Sequence, residues 1–231
     1  MRGRGLPRVF EVGAAALGLL VLSPVLLAAG AAVALGSGFP ILFRQERVGR
    51  GGRRFTLLKL RTMRPGAGRQ VTARGDARVT RVGRFLRRTK LDELPQLWNV
   101  LRGDMALVGA RPEVPAFVDG RDPLWTRVLL VRPGLTDPVS VRLRDEEDLL
   151  AAAPDPDEFY VRTLQPWKLR GYAAYQEART WQRDLEVLAR TAVVALRPGA
   201  ARRADLGDIL GGGPPEGARE TGAAGRAQRA P

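Results

Sequence analysis

Two residue types are missing from this sequence, and each absence closes off a branch of chemistry. None of its 231 residues is cysteine, so no disulfide framework, thiolate nucleophile, cysteine-bound zinc or iron–sulfur site can form. Histidine is absent as well, which removes the usual general base, the serine–histidine triad and the commonest transition-metal ligand. Any catalysis must run on carboxylates, basic groups or hydroxyls. Aromatic residues are scarce at 6%, and the basic clusters at 44–54 and 81–90 hold few of them. A protein built to stack nucleic-acid bases would interleave more. Negative charge is in deficit too: 24 aspartates and glutamates face 38 lysines and arginines, a formal +14. Such an excess calls for an anionic partner, whether membrane surface, phosphorylated substrate or nucleic acid. The length suits one folded domain with extensions.

From Val12 to Leu35 the chain carries no charge. At about 1.5 Å per residue that run could cross a bilayer core of about 30 Å if straight. Pro24 removes one backbone donor near its middle, so a bend is predicted there, with Ser23 placed to bond a freed carbonyl. Arg2, Arg4 and Arg8 precede the run, and Arg44, Arg47, Arg50, Arg53 and Arg54 follow it. The positive-inside bias therefore places both ends on the cytoplasmic side, and a re-entrant helix bent at Ser23-Pro24 satisfies both where a single span satisfies one. A secretory signal peptide and an ordinary span are the competing readings.

Beyond this anchor, F-P-I-L-F-R-Q-E-R-V-G and F-T-L-L-K-L-R-T-M read as extended runs around a turn at Gly51-Gly52. These glycines lack the spacing of a phosphate loop and serve the turn. Pro65 to Asp76 reads as a polar loop, and the basic segment R-V-T-R-V-G-R-F-L-R-R-T-K-L interleaves apolar residues in a way that suits anionic headgroups. Leu91, Leu94, Leu97, Trp98 and Leu101 recur at helical spacing, M-A-L-V reads as a short strand, and a last helix is expected over Asp184–Leu196. The fold class is α+β, mostly helical: a membrane anchor over 1–38, a cytosolic domain with a small hairpin or sheet and amphipathic interfacial helices over 39–205, and a disordered tail over 206–231, most biased in composition from Gly211.

The segment T-K-L-D-E-L-P-Q-L-W-N-V-L sets Asp92 and Glu93 side by side. Helix-start rules account for them fully, with Asp92 as N-cap, Glu93 in the first turn and Pro95 at the third position. Adjacent residues on a helix do not face each other, so the pair cannot clamp a glycosidic bond from two sides. A carboxylate at a helix start does suit attack on phosphorus, provided that cations offset the repulsion between carboxylate and phosphate. Arg84, Arg87, Arg88 and Lys90 are close in sequence, and Lys59, Arg61 and Arg111 are further candidates. The complementary metal, without histidine or cysteine, is magnesium, with manganese as the alternative, held by Asp92 and phosphate oxygens.

R-V-G-R-G-G-R-R-F-T-L-L-K-L-R-T-M, then D-A-R-V-T-R-V-G-R-F-L-R-R-T-K-L-D-E-L-P-Q-L-W-N-V-L-R-G-D-M-A-L-V-G-A-R-P-E, then V-R-P-G-L-T-D closely resemble the monotopic phosphoglycosyl transferases of the bacterial sugar transferase family. The resemblance runs from about Phe39 to Leu196, and the apolar start with Ser23-Pro24 looks like that family's re-entrant membrane helix. It implies transfer of a sugar-1-phosphate from a UDP-sugar to undecaprenyl phosphate, with UMP released, at the cytoplasmic face of the bacterial inner membrane. Such a step opens the membrane stage of an exopolysaccharide, O-antigen or glycoprotein pathway. Carried onto this chain, Asp92 becomes the nucleophile that forms a covalent phosphosugar intermediate, and Glu93 completes the dyad, its part open among positioning, metal binding and assistance to the acceptor. Lys59, Arg61, Arg87, Arg111 and Pro112 match positions that line the phosphate and nucleotide site. The implied partners are donor, acceptor and membrane lipid, with no nucleic acid; a homodimer is left open. Two departures stand out: Ala110 replaces the proline of G-P-R-P, and D-P-V-S-V-R-L-R-D-E-E follows R-P-G-L-T. The latter resembles the minimal-core members and leaves sugar choice open. The competing reading is a membrane-tethered basic binding protein in which Asp92 and Glu93 only cap a helix.

Overall fold

A computed structural model of the chain describes residues 5–65, 71–197, 204 and 206–210. The apolar run forms α1 (Arg8–Ser37), 30 residues with Pro24 inside. The carbonyl that a proline at 24 deprives of its helical donor is that of Leu20, and Ser23 Oγ donates to it at 2.7 Å. One helix therefore absorbs the proline without breaking.

Both ends of α1 are tied into the same folded unit. Near its start Glu11 is buried, accepts from the Leu107 N–H at 3.3 Å and lies 3.4 Å from Arg8 and 3.6 Å from Arg132. At its end the buried Arg61 guanidinium donates to the carbonyls of Phe39 at 2.8 Å and Ser37 at 2.5 Å, and to that of Gly38. The backbone groups left open at a helix C-terminus need such donors. Between the ends Leu17, Leu20, Val21, Val25 and Leu27 stay exposed.

The hairpin forms as expected. Strands β1 (Leu42–Val48) and β2 (Arg54–Leu60) pair antiparallel from Leu42 opposite Leu60 to Val48 opposite Arg54. Gly51 and Gly52 turn the chain with φ of 66° and 77°, a region open to glycine without penalty. Next comes α2 (Arg81–Thr89), started by Thr80, whose side chain accepts from the Gly83 N–H. Gly83 is pressed against β2's extension: a Cβ there would lie 2.0 Å from the Thr62 carbonyl oxygen. Arg81, Arg84, Phe85 and Arg88 face outward.

Helix α3 (Gln96–Arg102) leads to β3 (Ala106–Val108), the expected M-A-L-V strand. Beyond α4 (Pro123–Val128), β4 (Gly134–Thr136) pairs parallel with β3. Its three residues are too few to show a period, so no pattern of residues announces it. The chain continues through α5 (Pro138–Arg142), α6 (Glu146–Ala151), α7 (Pro156–Phe159), α8 (Gln165–Ala178) and α9 (Trp181–Leu196). The last of these starts three residues earlier than expected because the Thr180 hydroxyl caps it by accepting from Arg183 N–H. One core cluster gathers Trp125, Leu143, Leu164, Trp167 and Tyr172, so the aromatic run of the C-terminal half is interior. A second joins Ala15 of α1 to Leu97, Val100, Leu107 and Val187, and a third joins Ala29 and Val33 to Leu60 and Leu86. The fold is thus α+β and mostly helical.

The stretch expected as a tail begins with a helical turn. Residues Leu206–Leu210 form α10, and Ile209 is buried in the first cluster. The expected tail from Gly211 lies outside the described residues, as does part of the Pro65–Asp76 loop.

Candidate functional site

Helix α2 ends at Lys90, a non-glycine residue with φ of 59° and ψ of 15°. That left-handed turn costs about 1 kcal/mol or more, and strain of this kind gathers at functional positions. A single helical turn, Leu91–Glu93, follows before α3 opens at Gln96 with Pro95 ahead of it. The expectation that Asp92 caps a helix is therefore overturned. Pro95 holds the N-cap place, and no side-chain cap is made there. Asp92 instead turns inward: it is 4% exposed, and its Oδ1 has no hydrogen-bond partner. A buried carboxylate oxygen without a donor is a standing cost, and one that native proteins keep for a reason.

Asp92 is one of the residues lining a cavity of about 200 Å³ that is rich in lysines, arginines and carboxylates. Asp92 and Glu93, Lys59 from β2, Arg87 from α2, and Arg111 from the loop after β3 all reach it. Glu93 is clamped by the Arg111 guanidinium through two parallel bonds of 2.6 and 3.1 Å, the strong planar geometry of an arginine–carboxylate pair. Arg87 donates its Nε–H to Glu147 Oε1 at 3.0 Å. The Lys59 ammonium sits 5.2 Å from the centroid of the Phe43 ring.

The two neighbouring carboxylates titrate in opposite directions. Burial pushes the Asp92 carboxyl up, the Glu93 charge adds to the push, and Lys59, Lys90 and Arg87 oppose it without prevailing. Burial also works against charge on Glu93, but Arg111, Lys90 and Lys59 more than offset it and hold that carboxyl well below the usual range. Adjacent acids with separated environments take separate roles. Lys59 is lowered to about 8, chiefly by burial, with Asp92 pulling the other way and Arg87 adding to the drop.

Two expected site residues lie elsewhere. Arg61 is the clamp on the end of α1 described above and does not line the cavity. Strand β2 stops at Leu60, so the alternation that would put Arg61 on the same face as Lys59 ends one residue too soon. Pro112 does not line the cavity either; it offers its carbonyl to Arg47 at 3.0 Å. Sequence reasoning missed several members. Arg47 lies 3.6 Å from Glu113. The Tyr160 hydroxyl donates to Glu113, and the buried Lys168 lies 3.2 Å from Glu146 and 3.7 Å from Glu113. Burial would lower Lys168, but these acids keep its ammonium charged. The only local signal for these was the run D-E-E at 145–147 and the glutamate of R-P-E.

Among the described residues no group of three or more acidic side chains is arranged to hold a metal ion. The free Oδ1 of Asp92 is one oxygen donor, and Glu93 is engaged by Arg111. This fits a magnesium ion held mostly by substrate phosphates and water, as that ion prefers, and does not fit an all-protein cage.

Asp92 and Glu93 thus share one cavity with Lys59, Lys90, Arg87 and Arg111, in a chain that also carries a long apolar helix. The chain belongs to the bacterial sugar transferase family, whose model matches residues 3–198. It is 46% identical over 171 residues to the UDP-glucose:undecaprenyl-phosphate glucose-1-phosphate transferase of Caulobacter vibrioides, covering 70% of this chain and 64% of that protein. An Aeromonas hydrophila UDP-N-acetylgalactosamine-undecaprenyl-phosphate N-acetylgalactosaminephosphotransferase is 37% identical over 169 residues, 69% of this chain and 40% of that one. The Escherichia coli UDP-glucose:undecaprenyl-phosphate glucose-1-phosphate transferase is 38% identical over 173 residues, 72% of this chain and 37% of that one. The aligned region thus spans less than two thirds of each of these relatives.

Proposed function

We propose that the chain is a phosphoglycosyl transferase that moves a sugar-1-phosphate from a UDP-sugar to undecaprenyl phosphate through a covalent intermediate on Asp92. The observation that carries this reading is Asp92, buried with its Oδ1 unpartnered, in the lining of a cavity that Lys59, Arg87 and Arg111 also line. An Asp92 oxygen attacks the phosphorus nearest the sugar, its new O–P bond forms, and the diphosphate bridge to UMP breaks. UMP leaves with the bridging oxygen and its electron pair. An oxygen of undecaprenyl phosphate then attacks the same phosphorus and expels the carboxylate, regenerating Asp92 and giving undecaprenyl diphosphate sugar. Two displacements at one atom constitute nucleophilic catalysis with ping-pong order.

Lys59 and Arg87 counter the negative charge that builds at phosphorus, which is how most phosphoryl transfer is accelerated. Glu93 holds the Arg111 fork in position and remains ionised, so Arg111 is presented at a fixed angle. Magnesium, when bound, would neutralise the diphosphate; Asp92 is the residue that would help hold it. Both ends of α1 meet the same folded unit while its middle is exposed, which supports a helix that dips into one leaflet and returns. The site then lies at the cytoplasmic face of the inner membrane. The names of the relatives support the donor and acceptor classes but differ in sugar, so the reading stops at UDP-sugar.

The test is intact-protein mass spectrometry after incubation with magnesium and a panel of UDP-sugars, without lipid acceptor. A gain of one phosphosugar in the native protein, absent from Asp92→Asn, is expected. UMP release on adding undecaprenyl phosphate without any adduct at Asp92 would replace the two-step route with direct transfer.

A further inference from the structure

At the hairpin turn, sharing no lining residue with the Asp92 cavity, lies a second hollow of about 650 Å³, lined by Arg50, Arg53, Arg54, Arg102 and Arg132, with Asp104 as the one carboxylate. Arg54 reaches Glu46 at 2.9 Å, Arg102 lies 3.6 Å from Asp104, and Arg132 lies 3.6 Å from Glu11. The side chains of Arg50 and Arg53 make no ion pair or hydrogen bond among the described residues. The cations crowd one another: burial lowers Arg132 and the charges of Arg8, Arg50 and Arg179 lower it further, against the pull of Glu11. A bound anion would relieve that repulsion.

The position of the hollow says which anion. Gly103 in its wall is so near the first turn of α1 that a Cβ there would lie 3.6 Å from Arg8 Nη2. Beside Arg8, Val9 is 85% exposed and Phe10 46%; Leu130, next to the Leu129 carbonyl that accepts from the Gly51 N–H at 2.7 Å, is 58% exposed. Guanidinium groups beside exposed apolar side chains at the start of a long apolar helix match a phospholipid, which joins a charged phosphate to apolar tails. We propose that this arginine hollow is a binding site for the headgroup of an anionic phospholipid, distinct from the cavity of Asp92. The proposal rests on the reading that α1 lies in the membrane.

The test compares full-length protein with Arg50→Gln/Arg53→Gln and with Arg121→Gln/Arg162→Gln, which removes the same charge from exposed arginines elsewhere. Native mass spectrometry measures retention of added phosphatidylglycerol against phosphatidylcholine. Native protein is expected to retain phosphatidylglycerol preferentially. The hollow variant should lose that preference roughly thirtyfold at about a factor of five per cation near a lipid surface, and the control variant should keep it. Equal losses in both double variants would reduce the effect to net charge and overturn the site. Displacement of the lipid from native protein by inorganic phosphate or UMP at millimolar concentration would also overturn it, in favour of a soluble anion. Flotation with pure phosphatidylcholine vesicles tests α1 separately: failure to float would refute the membrane reading itself. UMP release in detergent should be the same in native protein and the hollow variant, since neither arginine reaches the Asp92 cavity.

Discussion

Asp92 holds a charge where the fold does not welcome it. Burial raises its carboxyl, and its Oδ1 receives no donor. The neutral isostere should therefore relieve the protein even as it removes the nucleophile. Asp92→Asn is expected to lower turnover by about a thousandfold or more, while its unfolding temperature in detergent stays at or above that of the native protein. A marked drop in that temperature would return Asp92 to a structural role. Lys59 provides the pH test. The ammonium is the form that counters phosphate charge, and it is half lost at about pH 8. Raising the pH through 8 should thus lower kcat/KM measured by UMP release. On the acid side the loss should begin above the ordinary carboxylate range, because Asp92 is raised and must be ionised to attack. Lys59→Arg keeps its charge to far higher pH and should shift the alkaline limb upward, whatever its absolute rate. An unshifted limb would assign it to another group.

Among elements, α2 decides whether the cavity closes. Gly83 lets the helix touch the Thr62 carbonyl, and Arg87 rides on the next turn. Gly83→Ala must push α2 away from β2; the expected cost is about 2–3 kcal/mol, seen as a lower unfolding temperature together with a raised KM for the donor. Unchanged values would mean that α2 shifts freely. The hairpin was legible in the sequence because two adjacent glycines between alternating runs leave few other options, and the amphipathic helix after Asp92 because leucines recur at its period. Its start was misread for a specific reason: D-E-L-P obeys the rules of a helix cap and of an isolated turn equally well, and only the packing of Leu91 in the third core cluster, with Asp92 facing inward, separates them. Arg61 was assigned to the site through the resemblance carried by K-L-R-T-M, but the strand that would set it on the same face as Lys59 ends at Leu60. Lys168, Tyr160, Glu113 and Glu146 meet through tertiary packing across as many as 55 positions of sequence, and no local pattern encodes that.

At the scale of the whole molecule, the missing cysteine becomes an advantage. A single cysteine placed at Pro7 or at Arg44 is the only thiol in the chain, so each side of α1 can be labelled without background. If α1 dips in and out of one leaflet, as proposed, an impermeant maleimide applied to inside-out vesicles should label both positions, and applied to right-side-out cells it should label neither. Opposite labelling of the two would establish a span. Such a span would require the ties at Glu11 and Arg61 to part, because both now fasten α1 to the same unit.

Those two ties also set a height. With its first turn held by Glu11 and its last by Arg61, α1 cannot slide along its own axis relative to Asp92, so the depth at which the helix floats fixes the level at which the cavity opens. For an acceptor dissolved in the bilayer, encounter with such a site is a search in two dimensions. Its rate should follow the mole fraction of carrier in the lipid rather than its amount per volume of suspension. Diluting the vesicles would leave turnover untouched, whereas diluting the carrier with more phospholipid would slow it.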